Sequence, residues 1–293
     1  SMYIAVHGGA GIHSYTREKE IKHALRSACR EGLKNHGPSD SSNQISFNST
    51  PLDVVSDAIA VLEDDPHLNA GYGSNLTLNG TVECDAAIMD GHSTFGSVGA
   101  VSGVKNPIRL ARAILDYSKV PDSLGRIPPL TLVSEGAHSF AVSENTRHEQ
   151  EQATNAIETV PPESMISPKA KDEWTKWKAR LDHISSDIDM SDPTSLTDIQ
   201  DTVGAVAYRI GDTVAAGVSS GGILLKHPGR LGEVLPCRER GVVAPDVGIL
   251  LLLVEQIEGK PSARLWCAFT TPSMAIAYAS SSRSKPAVIQ RYP

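Results

Sequence analysis

The stretch Asp201-Thr202-Val203-Gly204-Ala205-Val206 places a threonine at the first position of a predicted strand, directly behind an aspartyl peptide bond. If that bond is cut, Thr202 carries a hydroxyl and a free amine on one residue, so that a nucleophile and a base come together. The alternative is an ordinary threonine at a strand end. Both the fold around this strand and the hypotheses on function start from this stretch.

A second strand follows the first and leads into Ser219-Ser220-Gly221-Gly222. Gly211-Asp212 is a good two-residue hairpin turn, and with that turn residues whose numbers sum to 423 face each other. Thr202 then lies opposite Gly221 and within one residue of Ser220. Because cross-strand Cβ atoms are about 5 Å apart, the Ser220 hydroxyl could reach the hydroxyl or the freed amine of Thr202. An ordinary Ser/Gly turn is the alternative.

Arg230 stands between glycines in Pro228-Gly229-Arg230-Leu231-Gly232. A guanidinium presents a fork of donors that matches the two oxygens of a carboxylate, and flanking glycines let the backbone approach a ligand closely. The pattern therefore predicts a carboxylate-binding arginine. A solvated arginine in a turn is the competing interpretation.

Two glycine-rich stretches lie upstream. His7-Gly8-Gly9-Ala10-Gly11 lacks the lysine and the spacing of a phosphate loop, which favours a tight strand-to-helix turn over a cofactor site. Asn69-Ala70-Gly71-Tyr72-Gly73 is either a substrate-contacting segment, with Asn69 and backbone amides around the ligand, or a glycine-rich β connection.

Composition excludes several classes of partner. The net charge of −7 and the pI near 5.8 argue against a nucleic-acid surface. The four cysteines show no C-x-x-C spacing and the ten histidines are scattered, so we expect buried, reduced thiols, no metal site and no cofactor. The first residues show no signal-peptide pattern and no apolar run is long enough to span a bilayer. We expect an intracellular protein, cytoplasmic or nuclear, without a membrane partner.

Periodicity and punctuation predict a block of helices and short strands over residues 1–144. Thr50-Pro51 is a helix start and Asp65-Pro66 a helix stop. After residue 201 strands dominate, and a layered α+β or α/β domain is expected. The predicted strands are 3–6, the short β-like pieces 71–73, 82–89 and 97–101, and the later strands 247–255 and 263–269. The predicted helices are one that contains Ile21, Leu25 and Ala28, one from Leu52 to Leu62, one that begins at Asn106-Pro107, and two over 131–141 and 273–279.

Residues 145–201 are polar and punctuated by proline, which predicts a long and partly disordered linker. Inside it, Trp174, Trp177, Leu181 and Ile184 share one helical face. This helix either docks on the protein's own core or binds a partner.

Taken together, the motifs resemble the plant-type asparaginase family of N-terminal-nucleophile hydrolases. Several details resemble its threonine aspartase (taspase) branch, in particular Asp201 instead of glycine before Thr202. The family motifs occur in order as His7-Gly8-Gly9-Ala10-Gly11, Leu62-Glu63-Asp64-Asp65-Pro66, Asn69-Ala70-Gly71-Tyr72-Gly73, Glu83-Cys84-Asp85-Ala86-Ala87-Ile88-Met89-Asp90-Gly91, Thr202-Val203-Gly204-Ala205-Val206 and Gly229-Arg230-Leu231-Gly232; the branch details are Ser219-Ser220-Gly221-Gly222, Lys226-His227-Pro228 and Gly125-Arg126-Ile127-Pro128-Pro129.

The resemblance implies a four-layer αββα sandwich made as an inactive precursor. Cleavage between Asp201 and Thr202 would give an α chain, 1–201, and a β chain, 202–293, that stay in one domain and form a homodimer of processed αβ units. Thr202 would be the nucleophile with its own amine as the base, Ser220 and Asn69 would support it, and Arg230, Gly221 and Gly232 would bind substrate.

The resemblance leaves three functions open. The first is an endopeptidase that cuts protein substrates after Asp. The second is an L-asparaginase, β-aspartyl peptidase or glycosylasparaginase-like amidohydrolase acting on small aspartyl amides. After Glu233 the sequence lacks the segment that supplies the family's oxyanion hole, a kind of donor whose loss typically costs about 10²–10³ in rate. This departure motivates the third, a shortened and inactive member that acts by binding.

Overall fold

The computed structural model describes residues 2–10, 18–34, 50–151, 157–182, 202–209 and 213–232, and the backbone of four short segments, 256–257, 260–261, 275–281 and 287–291. Asp201, the predicted turn at Gly211-Asp212 and the predicted strands 247–255 and 263–269 lie outside these residues.

One eight-stranded sheet organises the described residues, in the order β10-β9-β1-β5-β6-β2-β3-β4. Neighbouring strands are antiparallel except for β3 and β4, which are parallel. A separate pair, β7 and β8, forms a small ribbon. The strands are β1 (Met2–Ala10), β2 (Cys84–Asp90), β3 (Phe95–Val101), β4 (Thr131–Val133), β5 (Val203–Arg209), β6 (Val214–Ser220), β7 (Gln256–Ile257), β8 (Lys260–Pro261), β9 (Ala275–Ser281) and β10 (Ala287–Arg291).

In the part of the chain that the structure describes, five α-helices accompany the sheet: α1 (Glu18–Leu33), α2 (Pro51–Glu63), α3 (Pro107–Ser118), α4 (Ser134–Glu151) and α5 (Pro168–Asp182). The predicted limits of α2 are confirmed. Thr50 forms a capping box with Asp53, Pro51 occupies the first turn, and the helix ends at Glu63, three residues before Pro66. The helix predicted after Asn106-Pro107 is also confirmed.

Two helix predictions were wrong in part. Residues 131–133 form strand β4, and helix α4 begins only at Ser134, whose φ is +47°. The helix predicted over 273–279 was wrong at its described positions, because residues 275–281 form strand β9, which pairs with β1 over most of its length. Small residues such as Ala275 and Ala277 do not distinguish a helix from a strand by pattern, and the free edge of β1 decides the outcome.

The main core lies between one face of the sheet and helices α1, α2 and α3. Ile4 and Val6 of β1 and Val203 and Ala205 of β5 belong to it. The alternate residues of the same strands, such as Ala5 and Val206, point to the opposite face and form a separate apolar cluster. The predicted mixed α/β architecture is confirmed. Within the described segments, the second large sheet of a four-layer sandwich is not present.

The segment 157–182 is ordered and packed, so the prediction of a linker was wrong for this part. Ile157 and Met165 are buried in the main core, and α5 lies against the segment that carries residues 224–225. The Nε1 atom of Trp174 donates to the Thr77 carbonyl at 2.7 Å. Of the two alternatives for the tryptophan helix, docking on the protein's own core is confirmed. Leu181, predicted on the same face, is 42% exposed, and Ile184 lies outside the described residues.

The two cysteines among the described residues, Cys29 and Cys84, are buried free thiols. Burial raises the pKa of Cys29 to about 12 and the pKa of Cys84 to about 11, so both stay protonated and unreactive at neutral pH. Across the described helices, none is long and apolar enough to span a membrane.

Candidate active site

Thr202 and Ser220 meet at one end of the β5–β6 pair. The Thr202 Oγ1 donates to the Ser220 Oγ at 3.2 Å, and Ser220 is 3% exposed. The predicted register was wrong by one residue: observed partners, such as Val203 and Ser219, have numbers that sum to 422. As a result, Thr202 lies opposite Ser220 itself and not Gly221.

The turn after Ser220 is held by two asparagines. The Nδ2 atoms of Asn69 and Asn75 donate to the Gly222 carbonyl at 2.8 and 2.9 Å, and the Gly221 amide donates to the Asn69 carbonyl at 2.9 Å. The Gly222 amide donates to the Ser220 Oγ at 3.0 Å. Asn69 thus contacts the turn that follows Ser220, the residue that is bonded to Thr202.

The stretch Gly71-Tyr72-Gly73 forms a 3₁₀ turn, and the β-like piece predicted there was wrong. The reason is crowding against the end of α2. A Cβ built on Gly73 would lie 2.0 Å from the Leu68 carbonyl oxygen, and one on Gly71, whose φ is +53°, would lie 2.4 Å from the Glu63 carbonyl oxygen. These glycines let the backbone fold back tightly, and this places Asn69 and Asn75 next to the Ser220 turn.

His7 of β1 lies on the sheet face opposite the main core, on the same face as Ala5. It lies opposite Gly204 and is 1% exposed, with a hydrogen bond to the Thr202 backbone. Within the described residues its Nδ1 atom has no hydrogen-bond partner. Burial lowers the pKa of His7 to about 4, against the opposing effect of the bond to Thr202, so the imidazole is neutral at neutral pH. The tight turn predicted from His7 onward was wrong, because β1 continues through His7 to Ala10. The packing of His7 on Gly204 depends on the pairing of β1 with β5 and was not predictable from the sequence.

Arg230 lies in an exposed loop that is anchored beside this site. The Gly232 amide donates to the Asp85 Oδ2 at 2.7 Å, and Asp85 pairs directly with Ser220 across β2 and β6. Gly221 is buried against Asn69 and Ser74, and a Cβ added to Gly221 would lie only 2.4 Å from the Asn69 Oδ1. The structure therefore brings Thr202, Ser220, Asn69 and Gly221 together, with the Arg230 loop adjacent. Their roles in catalysis and substrate binding stay predictions.

Glu63 is a buried carboxyl behind the site. Its Oε1 accepts from the Ser219 Oγ at 2.7 Å and from the Ile108 amide at 3.0 Å, and its Oε2 has no hydrogen-bond partner among the residues that the structure describes. Burial raises the pKa of Glu63 to about 8, and the bonds from Ser219 and Ile108 oppose this rise only in part. At neutral pH the group is mostly protonated, although the sequence showed it only as one member of a motif.

The raised pKa predicts that the free energy of unfolding falls as the pH rises. Folding favours the protonated form of Glu63, so the contribution of Glu63 to the free energy of unfolding is fully present below its unfolded pKa of about 4.5. This contribution is lost as the pH rises from there to the folded pKa of about 8. The slope is at most about 1.4 kcal/mol per pH unit. Glu63→Gln removes this slope, since glutamine stays neutral. Denaturant titration from pH 5 to pH 9 measures it, with Glu31→Gln, at an exposed site, as the control. An unchanged slope in Glu63→Gln contradicts the prediction.

Comparisons with known proteins agree on a family. Residues 1–237 match the family model described as Asparaginase. The chain is 33% identical over 248 residues to the isoaspartyl peptidase/L-asparaginase of Bos taurus, covering 84% of this chain and 68% of that protein. It is 32% identical over 235 residues to the protein of the same name from Danio rerio, covering 80% and 64%.

A third relative comes from an archaeon. The chain is 34% identical over 253 residues to the plant-type L-asparaginase of Pyrococcus abyssi, covering 83% of this chain and 70% of that protein. The chain thus spans about two thirds of the length of these relatives. With a family model that matches most of its residues and relatives above 30% identity, this chain belongs to the asparaginase family.

Proposed function

We propose that this protein is a threonine-dependent amidohydrolase that acts on small aspartyl amides, L-asparagine or β-aspartyl (isoaspartyl) peptides. The observation that carries the proposal is the position of Thr202, at the start of β5 with its hydroxyl 3.2 Å from that of Ser220. The names of the relatives, isoaspartyl peptidase/L-asparaginase and plant-type L-asparaginase, support this substrate class.

The proposed activation is a cleavage between Asp201 and Thr202. The Thr202 Oγ attacks the Asp201 carbonyl carbon, the C–N bond breaks and the nitrogen takes up a proton. This leaves an ester between Asp201 and the Thr202 oxygen. Water hydrolyses the ester, which gives Asp201 a carboxylate and Thr202 a free amine and a free hydroxyl. The products are an α chain of residues 1–201 and a β chain that starts at Thr202.

In the proposed turnover, the Thr202 amine takes the hydroxyl proton as Thr202 attacks the side-chain amide carbonyl of the substrate. The protonated Thr202 amine gives this proton to the amide nitrogen as the C–N bond breaks, and the nitrogen leaves as ammonia or as the amine of a peptide. Water then hydrolyses the acyl-enzyme, which releases aspartate and restores the Thr202 hydroxyl. Ser220 supports the nucleophile by accepting its hydrogen bond, and Arg230 holds a substrate carboxylate. Gly221 and Gly232 let the backbone approach the ligand.

The test is release of ammonia from L-asparagine and of aspartate from β-aspartyl dipeptides by purified protein that has been checked for two fragments on a denaturing gel. We expect both fragments and turnover of at least one of these substrates. Full cleavage at Thr202 without any release contradicts the proposed substrate class. An uncleaved chain without turnover instead supports the third function, a shortened member that acts by binding.

A threonine aspartase is the second candidate. The specific observation in its favour is Asp201, because an enzyme that cleaves its own chain after an aspartate already accepts an aspartyl residue in an α-peptide bond. A peptide that spans residues 195–208 discriminates the two functions. Cleavage of this peptide after its aspartate with no turnover of L-asparagine supports the aspartase, and the reverse pattern supports the amidohydrolase. For either activity we propose a homodimer of processed units, which analytical ultracentrifugation tests.

A further inference from the structure

Asp85 is a buried carboxylate that binds two backbone amides of different segments. It is 0% exposed and accepts from the Ala100 amide through Oδ1 at 2.8 Å and from the Gly232 amide through Oδ2 at 2.7 Å. Because the two oxygens are each engaged by a donor with a fixed position, the side chain has one orientation. Hydrogen bonds from amides to a carboxylate are stronger than hydrogen bonds between two neutral groups.

The Ala100 amide reaches Asp85 because of a local irregularity in β3. The register between β2 and β3 shifts between Cys84 and Ala86, so that Asp85 has no directly opposite residue on β3. Ala100, at this irregularity, has a φ of +47°. A non-glycine residue in this region costs roughly 1 kcal/mol. The bulge turns the Ala100 amide toward the carboxylate, away from a regular ladder bond.

The Arg230 loop is attached to the start of β2 at several points. The Gly229 amide donates to the Glu83 Oε2 at 2.7 Å, the Lys226 Nζ donates to the Glu83 carbonyl at 2.7 Å, and the Gly232 amide donates to Asp85. Arg230 lies between the two attached glycines. Its exposed side chain is therefore carried by a backbone that is fixed on both sides.

On its other side Asp85 is the cross-strand partner of Ser220. Asp85 thus joins strand β6, which carries Ser220, to the loop that carries Arg230, the residue predicted to bind a substrate carboxylate. We propose that Asp85 is a positioning residue for substrate specificity, which sets the place of Arg230 relative to Thr202 and so selects substrates with a carboxylate at a fixed distance from the scissile amide. This proposal deepens the proposed function and rests on it.

The test uses Asp85→Asn in the full 293-residue chain. The asparagine keeps one acceptor oxygen but turns an NH₂ group toward one of the two amides, so one attachment is lost. We expect a KM for the best substrate, and a Kd for L-aspartate, that rise about tenfold or more, with kcat within about threefold and with cleavage at Thr202 retained. Arg230→Ala gives the upper limit of the effect on KM.

Asp90→Asn is the matched control. Asp90 lies at the opposite end of β2 and accepts from the His92 and Thr94 amides through one oxygen, Oδ1, while its Oδ2 faces the Lys119 Nζ at 3.5 Å. The chemical change is the same as in Asp85→Asn, but it leaves the attachment of the Arg230 loop in place. We expect its KM and kcat to stay at the wild-type values. If Asp85→Asn does not fold, Gly232→Ala replaces it, because an added Cβ would lie 3.1 Å from the Asp85 Oδ2, so that the loop and the carboxylate must separate by a few tenths of an ångström.

Hydrogen exchange of the Leu231 and Gly232 amides separates this proposal from the proposed function. Faster exchange in Asp85→Asn, confined to this loop, supports the attachment even if the wild-type protein hydrolyses no amide; in that case only the proposed function fails. Unchanged exchange overturns the proposal. A fall in kcat or loss of cleavage with unchanged KM also overturns it, since Asp85 would then act on the nucleophile.

Discussion

Thr202→Ala is expected to give a single uncut chain with amide hydrolysis lowered by more than about 10³-fold. The variant removes the hydroxyl that attacks the Asp201 carbonyl and, after cleavage, the substrate. Folding is expected to persist, because Thr202 makes its side-chain bond to Ser220 at the strand end, while the core side of β5 is built by Val203 and Ala205. Denaturing electrophoresis and intact mass measure the cleavage, and ammonia release measures the turnover.

Thr213→Ala is the control for this variant. Thr213 lies on the same hairpin and is partly buried, and among the described residues its hydroxyl donates to the Val214 carbonyl, far along the strands from Ser220. We expect normal cleavage and turnover in this variant. If Thr202→Ala still yields a fragment that begins at residue 202, another group performs the cleavage and the proposed mechanism is wrong.

Gly221→Ala is expected to lower cleavage and turnover by about 10²-fold, because a displacement of about 1 Å in a reacting group has an effect of this size. An added Cβ would lie 2.4 Å from the Asn69 Oδ1, 2.5 Å from the Ser74 Cβ and 2.7 Å from the Ser74 Oγ. These atoms are held by buried hydrogen bonds, so the turn must move and carry Ser220 away from Thr202. The free energy of unfolding should fall by about 1–3 kcal/mol.

Gly136→Ala provides the contrast. Gly136 lies in helix α4, and a Cβ there meets no atom within 4 Å. The same chemical change is expected to raise the free energy of unfolding by about 0.5–1 kcal/mol, since alanine is the better helix former. Thermal unfolding and the electrophoretic assay on both variants check the pair. Equal activity in Gly221→Ala and wild type would show that the Ser220 turn tolerates displacement.

Several features were predictable because their signals are local. The capping box at Thr50, the proline after α2 and the apolar spacing of α1 depend on neighbours a few residues apart. The juxtaposition of Thr202 and Ser220 was also predicted, since two strands joined by a short connection must pair. The register was off by one because it depends on the length of the connection, and the sequence favoured a two-residue turn at Gly211-Asp212.

Other features depended on distant parts of the chain. The segment 157–182 reads as a linker, yet Trp174 and Trp177 pack on residues near the candidate site, so that tertiary contacts supply the burial that its composition lacks. Strand β9 was predicted as a helix because small residues fit both patterns. The amides of β1 had a free edge, and pairing there satisfied the backbone.

By itself, the sequence determined the candidate nucleophile, the class of fold and the resemblance that the family match confirmed, because residue types and short spacings encode them. Only the tertiary structure decided the environment of Thr202. His7, Asp85 and Glu63 are far apart in the chain, and they contact Thr202, the Arg230 loop and Ser219 respectively. These contacts arise from the order of the strands in the sheet and from burial. Burial excludes water, so each buried polar group must bond to the partners that the fold provides.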